Sequence, residues 1–484
     1  MTMKRNKSAR WVQGLATLAI ACCAGAFVAG SAQAAATITI VNANEPGVGF
    51  NDPTPAAPVG GNLGTTLGEQ RLIAFQHAAD IWGAKLTSAA PIRVDAAFEP
   101  LECDVASAVL GSAGAAEIYT EFPNAPRAFT WYPSALASKL AGFDVTLGQT
   151  PHIYARFNSR LGLFSDCLPG SGFYLGLDRQ FGTQIDLVTV LLHELAHGLG
   201  FQTFTDDYTG EEVFDRPSIF DYYLVDNRTN HSWVTLTPAQ RAASAVSGNG
   251  LSWNGPHVTQ AVPTVLAPLS RLTISGVPAG PAARDYAVGD ASFGPPLSAA
   301  AVSGQLMPIL DQSGYPSTAC NPLSPVNALA VHGNIALVDR GSCSFVVKAR
   351  VVQAAGAIGM VVVDNVDGDV TGMSGNDPLV TIPSVRITLA DGTALRPTLA
   401  TRTRTKSGVI ASLGVDATRL AGADASRRIL MYTPTFYSPG STVSHYTTEA
   451  KPNQLMEPSI NSDLTHEVEP PRDLTLPLLR DIGW

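Results

Sequence analysis

The run Asp186-Leu-Val-Thr-Val-Leu-Leu-His-Glu-Leu-Ala-His-Gly-Leu-Gly200 restricts the fold more than any other stretch of the chain. Its apolar residues recur at helical steps, with Asp186 placed to cap the start and Gly198 or Gly200 to end it. Val188, Leu191, Leu192, Leu195 and Leu199 occupy the other sides of the helix and can fix it in a core. His193 and His197, four residues apart, lie about 40° apart around the axis and reach one point in space. Glu194 is turned about 100° from His193, beside that point but not on it. One helix therefore carries a packing side and a polar side of two imidazoles and a carboxylate.

The rest of the chain must supply that core. At 484 residues it exceeds one ordinary core, and 45% hydrophobic against 15% charged residues describes a globular protein. The 44 Gly and 34 Pro imply many turns. Residues 35–64 read as extended or turn structure. Gly68 to Leu86 has helical periodicity through Leu72, Phe75, Ala79 and Ile81. Pro91 to Phe98 and His152 to Phe157 read as strands, Leu251 to Pro296 as loop, and Leu474 to Trp484 as a packed terminal element. The expected class is α+β.

Lys4, Arg5, Lys7 and Arg10 precede an apolar run from Trp11 to about Val28 and a small-residue site at Ala32-Gln-Ala34. That pattern predicts a signal peptide over residues 1–34 and a secreted product. No later segment reaches the ~18 consecutive apolar residues of a membrane span. Removing the leader leaves 27 basic residues against 40 acidic ones, a net charge of −13. Such a surface repels nucleic acid and anionic membranes. Cys103, Cys167, Cys320 and Cys343 remain, with three possible pairings. In an oxidising compartment the local pairs Cys103–Cys167 and Cys320–Cys343 are the simplest. None of the four forms a Cys-x-x-Cys metal pattern.

The helix motif has a chemical reading. Two neutral imidazoles bind Zn2+ without cancelling its charge, and a carboxylate beside them can act as a general base. The chain holds nine His, so chance delivers His-Glu-x-x-His in roughly one such sequence in a hundred. A catalytic zinc needs a third protein ligand. Position 203, six residues after the second His, is Thr203, a poor ligand. Glu211 or Glu212, with Asp215 nearby, stand between Gly210 and Pro217, which leaves room for only a very short helix. Asp206 and Asp207 lie in a turn-like stretch. His445 stands far downstream in Gly440-Ser-Thr-Val-Ser-His-Tyr446, followed by Asn453-Gln-Leu-Met-Glu-Pro458.

Here the chain resembles the leishmanolysin-like metzincins. His193-Glu-Leu-Ala-His-Gly-Leu-Gly-Phe201 matches their opening motif, His445 their distant third ligand and Met456 their turn methionine. The resemblance implies a zinc endopeptidase with His193, His197 and His445 on the metal, Glu194 as the catalytic base, and protein or peptide substrates. It also implies a metzincin-like domain formed by residues 35–285 and 415–484. The chain departs from leishmanolysin in having few cysteines and no hydrophobic C-terminal tail, so membrane anchoring is not carried over.

Residues 286–414 change character. A strand over Asn334–Gly341, a helix over Phe345–Ala355 with Val347, Val351 and Ala354 on one face, and an apolar strand over Gly359–Asp364 make a βαβ unit. Asn334-Ile-Ala-Leu-Val-Asp-Arg-Gly-Ser-Cys-Ser-Phe345, Lys348, Gln353-Ala-Ala-Gly-Ala357 and Ile382-Pro-Ser-Val385 resemble the protease-associated (PA) domain. That resemblance implies a non-catalytic insert that contacts substrate or partner, held by Cys320–Cys343. Two other functions stay open: a non-catalytic binding protein on a protease-like fold, and a PA-associated aminopeptidase.

Overall fold

The computed structural model describes residues 34–310, 317–368 and 370–484. The expected signal peptide lies outside these residues but for Ala34. Among the described residues no helix is long and apolar enough to cross a membrane.

Alternating burial in Ile92–Glu99 comes from a strand with one face on a core. It forms β2 of a four-stranded sheet with β1 (Ile38–Asn42), β3 (Gly111–Ala115) and β4 (Ile153–Asn158), in the order β1-β2-β4-β3. β1 and β4 run parallel to β2, whereas β3 is antiparallel to β4 and forms one edge. Helix α1 (Leu67–Lys85) begins at Thr66, whose hydroxyl accepts from the Glu69 N–H. Its buried stripe is Ala74, Phe75, Ala78, Ala79 and Trp82. Leu72, expected inside, is 38% exposed, and Trp82 takes the inward place by donating its indole N–H to the Leu192 carbonyl at 3.1 Å.

Leu192 belongs to α2 (Leu187–Leu199), the helix of the His-Glu-x-x-His motif. Asp186 caps it through the Thr189 N–H, and all thirteen of its residues are buried. Gly198 is required by packing, because a Cβ there would lie 2.4 Å from the Ile153 side chain on β4. Gly200 ends the helix at φ +123°, and its N–H returns to the Ala196 and His197 carbonyls. The terminal residues close the same core: α5 (Thr475–Ile482) follows Leu474, and the Trp484 indole N–H donates to the Leu199 carbonyl at 2.7 Å.

The stretch expected as loop from Leu251 to Pro296 contains α3 (Pro256–Val265) and a long strand, β5 (Pro268–Ser275). Pro256 occupies the first helical position, where a missing N–H costs nothing, so the proline signal marked a helix start.

A second sheet has eight strands in the order β6-β5-β12-β8-β9-β10-β11-β7. These are β5, β6 (Asp285–Ala287), β7 (Gly289–Asp290), β8 (Val302–Pro308), β9 (Ile335–Asp339), β10 (Gly359–Val363), β11 (Ser384–Ile387) and β12 (Ile410–Leu420). β8 to β11 are parallel, and α4 (Phe345–Ala354) crosses from β9 to β10 as the βαβ reading expects. All five residues of β10 are buried, as in a parallel strand covered on both faces. The sheet reaches beyond the expected 286–414 at both ends, because β5 pairs antiparallel with β12 from Ser275↔Ile410 to Pro268↔Leu420.

The buried apolar residues gather in three clusters, one around the first sheet and two on the second. One core gathers Ala36 to Leu266 and then Ala423 to Ile482. Two others, drawn from residues between Leu272 and Leu413, cover opposite faces of the second sheet, with Leu337 and Val361 in one, and Val338 and Met360 in the other. Both disulfides, Cys103–Cys167 and Cys320–Cys343, are formed.

The inward side of α4 differs from expectation. Val347 is 40% exposed and Ala354 is also exposed, whereas Lys348, Ala349 and Val352 are buried. Lys348 turns inward because its ammonium donates to the Thr318 carbonyl at 2.6 Å and the Gly341 carbonyl at 2.7 Å. It thereby joins the backbones flanking the Cys320–Cys343 bridge.

Candidate metal centre

α2 presents His193 and His197 from successive turns, and the 440–446 segment brings His445 to them from 248 residues beyond His197. The three Nε2 atoms form a triangle with every side 3.2 Å. Each ring is held from behind. The Nδ1–H of His193 donates to the Leu455 carbonyl at 2.7 Å, that of His197 to Phe201 at 2.8 Å and that of His445 to Ser441 at 2.8 Å. With a proton on every Nδ1, each neutral ring has a lone pair on Nε2. Three lone pairs thus converge where none can donate to another, and a cation removes that repulsion. Tetrahedral zinc with nitrogen ligands at about 2.0–2.1 Å sets ligand nitrogens about 3.3 Å apart, so the triangle fits it.

Burial keeps the rings neutral, holding His193 down at about 4 and His197 at about 3, with the neighbouring His adding to the effect on His197. His445 is lowered by burial and by both other rings. Among the described residues, this trio alone groups three or more metal-ligating side chains tightly enough for one ion.

Glu194 is also buried, at 8% exposure. Desolvation pushes its carboxyl up to about 8, opposed by a hydrogen bond from the Ala113 N–H. A divalent cation nearby favours the charged carboxylate and acts against that rise. Ala113 lies on edge strand β3. Immediately before and after β3, the Leu110 carbonyl and the Ala116 N–H bond the β4 side, so by alternation Gly111, Ala113 and Ala115 turn their backbone groups away from it. The free edge of the sheet therefore faces the carboxylate.

Four of the other candidates for a third ligand, Thr203, Glu212, Asp206 and Asp207, have other partners. The Thr203 hydroxyl donates to Asp221 at 2.6 Å. Glu212 pairs with Arg241 at 3.1 Å, and Asp206 accepts the Tyr208 and Thr209 N–H groups of its own turn. Asp207 accepts from the Tyr437 hydroxyl at 3.2 Å. Met456 is fully buried, and its carbonyl accepts the Tyr446 N–H at 2.7 Å, which ties the 453–458 turn to the residue after His445. The carbonyl supports from Leu455, Phe201 and Ser441 left no trace in the sequence, because any residue type supplies a carbonyl.

The fold and site define an α+β protein with a three-histidine centre beside a buried glutamate. Around the second sheet, residues 302–395 match the family model of the PA domain. The minor extracellular protease Vpr of Bacillus subtilis is 33% identical over 114 residues, 23% of this chain and 14% of that protein. The probable lipoprotein aminopeptidase LpqL of Mycobacterium tuberculosis is 34% identical over 90 residues, 18% of each. ER degradation-enhancing alpha-mannosidase-like protein 3 of Homo sapiens is 50% identical over 56 residues, 12% of this chain and 6% of the relative. The chain thus spans less than a fifth of the length of each of these relatives. Among solved structures, a zinc aminopeptidase from Bacillus subtilis aligns with a TM-score of 0.22 and 23% identity, covering 33% of this chain and 36% of that one.

Proposed function

We propose that the chain is a secreted zinc-dependent endopeptidase of the leishmanolysin-like metzincin type. In this reading His193, His197 and His445 hold the metal, Glu194 is the general base, and residues 268–420 are an inserted PA unit that contacts substrate. The observation that carries it is the 3.2 Å triangle of unprotonated Nε2 atoms beside a buried carboxylate.

A zinc ion bound there supplies Lewis acidity, polarising a carbonyl and bringing the pKa of water to about 7. Glu194 takes a proton at its carboxylate from the attacking water and passes it to the departing amide nitrogen. The Ala113 N–H holds that carboxylate in place. The outward backbone groups of Gly111 and Ala115, with the Ala113 carbonyl, can pair with an extended substrate, laying its peptide bonds along the site. An edge strand accepts a chain passing through it, which favours cutting within a protein over trimming its end.

The test is zinc content together with hydrolysis by the purified protein. About one zinc per chain, cleavage of casein and of an N-terminally blocked peptide, loss on chelation and recovery with zinc are expected. An aminopeptidase, the second reading favoured by the LpqL match, would cut aminoacyl p-nitroanilides and spare the blocked peptide. Zinc binding with no hydrolysis of any of these would favour the non-catalytic binding protein.

A further inference from the structure

We infer that Asp221 is a positioning residue of the three-histidine centre, holding the Phe201–Thr205 segment that links the support of His197 to the residue before His445. The inference rests on the proposed metal site.

Asp221 is 1% exposed and lies in a short 3-10 turn, Phe220–Tyr223. Its Oδ1 accepts the Thr203 hydroxyl at 2.6 Å, and its Oδ2 accepts the Thr205 hydroxyl at 2.8 Å and the Ser218 N–H at 2.7 Å. The Thr203 oxygen accepts the Thr205 N–H at 3.0 Å, so its hydrogen is free to point at the carboxylate. One buried carboxylate thereby fixes two side chains of one five-residue segment.

That segment touches one proposed metal ligand and the residue before another. The Phe201 carbonyl accepts from His197, and the Thr203 N–H donates to the Ser444 hydroxyl at 3.2 Å, one residue before His445. The apolar contacts follow the same route. The Phe201 ring lies 5.7 Å from Phe220, the neighbour of Asp221, and 4.9 Å from Tyr446, the neighbour of His445. A shift of Asp221 is passed to the carbonyl orienting one ligand and to the backbone carrying another. The chain needs this device because His197 and His445 come from segments with no covalent reason to stay in register.

In Asp221→Asn the amide keeps an oxygen for Ser218 and Thr205, whose backbone donor cannot reverse, and turns its NH2 toward Thr203. The Thr203 hydroxyl must then accept where it had donated, so that link is the one disturbed, reversed and without its charged partner. Thr203→Val removes the same link from the other side.

The test measures zinc affinity by chelator competition and the visible absorption of the cobalt-substituted protein, which reports ligand geometry. Asp221→Asn and Thr203→Val should each weaken zinc by about 10-fold, the lower end for groups that orient metal ligands, and alter the cobalt bands. The double variant should be no weaker than the worse single one, since both cut one link. A folded Asp221→Asn with wild-type zinc affinity and cobalt spectrum would overturn the inference. If Asp221→Asn does not fold, Thr203→Val and Ser444→Ala decide, and wild-type values in both overturn it. Failure of the metal-site reading looks different: the wild-type protein takes up no zinc, or His445→Ala takes up as much as wild type.

Discussion

His193 and Leu455 are joined across 262 residues, the His193 Nδ1–H donating to the Leu455 carbonyl at 2.7 Å. The Leu455 N–H in turn donates to Asp473 at 2.7 Å, and the other Asp473 oxygen accepts the Thr475 N–H at 2.7 Å, at the start of α5. Asp473→Ala leaves two buried N–H groups without an acceptor, a cost of about 2–6 kcal/mol. The expected outcome is a lower urea midpoint together with weaker zinc binding. An unchanged zinc dissociation constant would show that the Leu455 carbonyl stays in place without Asp473.

Glu194→Gln keeps the shape of the side chain and its acceptor for Ala113, and loses the basic carboxylate. Zinc should remain near one per chain while turnover falls by about 10²–10⁴, the scale of a missing acid–base group. Peptide hydrolysis at the wild-type rate would remove Glu194 from the mechanism.

Replacing His445 by Ala takes away one of three converging nitrogens, and both zinc and activity should be lost. Glu211→Ala and Glu212→Ala should keep both, since Glu212 faces Arg241. Metal analysis of the three purified variants is sufficient, and the reverse pattern would transfer the ligand role to the acidic pair.

The ends of the second sheet meet at one place, where the Ala421 N–H donates to the Ala267 carbonyl at 2.9 Å. Excising 268–420 and joining Ala267 to Ala421 through a short glycine linker should leave zinc binding and small-peptide cleavage in place. Protein substrates should be cut more slowly or at other sites. Unaltered cleavage of protein substrates by a folded excision variant would count against a recognition role for the insert.

Burial lowers the Lys348 ammonium from its ordinary 10.5 to about 8. Between those values the unfolded chain binds more protons than the folded one at this position, so its contribution to stability increases from pH 8 to 10.5. Lys348→Met should abolish that part of the pH dependence. The comparison is the difference in urea midpoint between wild type and variant at several pH values across the window, and a constant difference would contradict it.

The sequence was most informative where structure is local. α2, its caps and the βαβ crossing were legible because apolar periodicity and turn residues act within a few positions. The side of α4 that packs inward was not, because Lys348 reads as a solvated charge until its carbonyl partners are known. The prolines that masked α3 mark a helix start or a loop equally well. β5 escaped the reading because its partner β12 lies more than a hundred residues away, and strand pairing leaves no local signature. His445 has no spacing that marks it as a ligand, so only the family likeness singled it out. Asp221 was missed for a related reason, since a buried carboxylate with three donors looks like any other Asp.

The separation of 248 positions between His197 and His445 also imposes an order on biosynthesis. A ribosome must complete the whole second sheet, and then the segment through Leu455, before the third imidazole and the carbonyl behind His193 exist. A nascent or prematurely terminated chain therefore holds two histidines and a glutamate but no closed centre. If His445 is the third ligand as proposed, competence to bind the metal arrives only once the segment from His445 to Leu455 has been made, which keeps the proposed hydrolase inert while everything before it is synthesised.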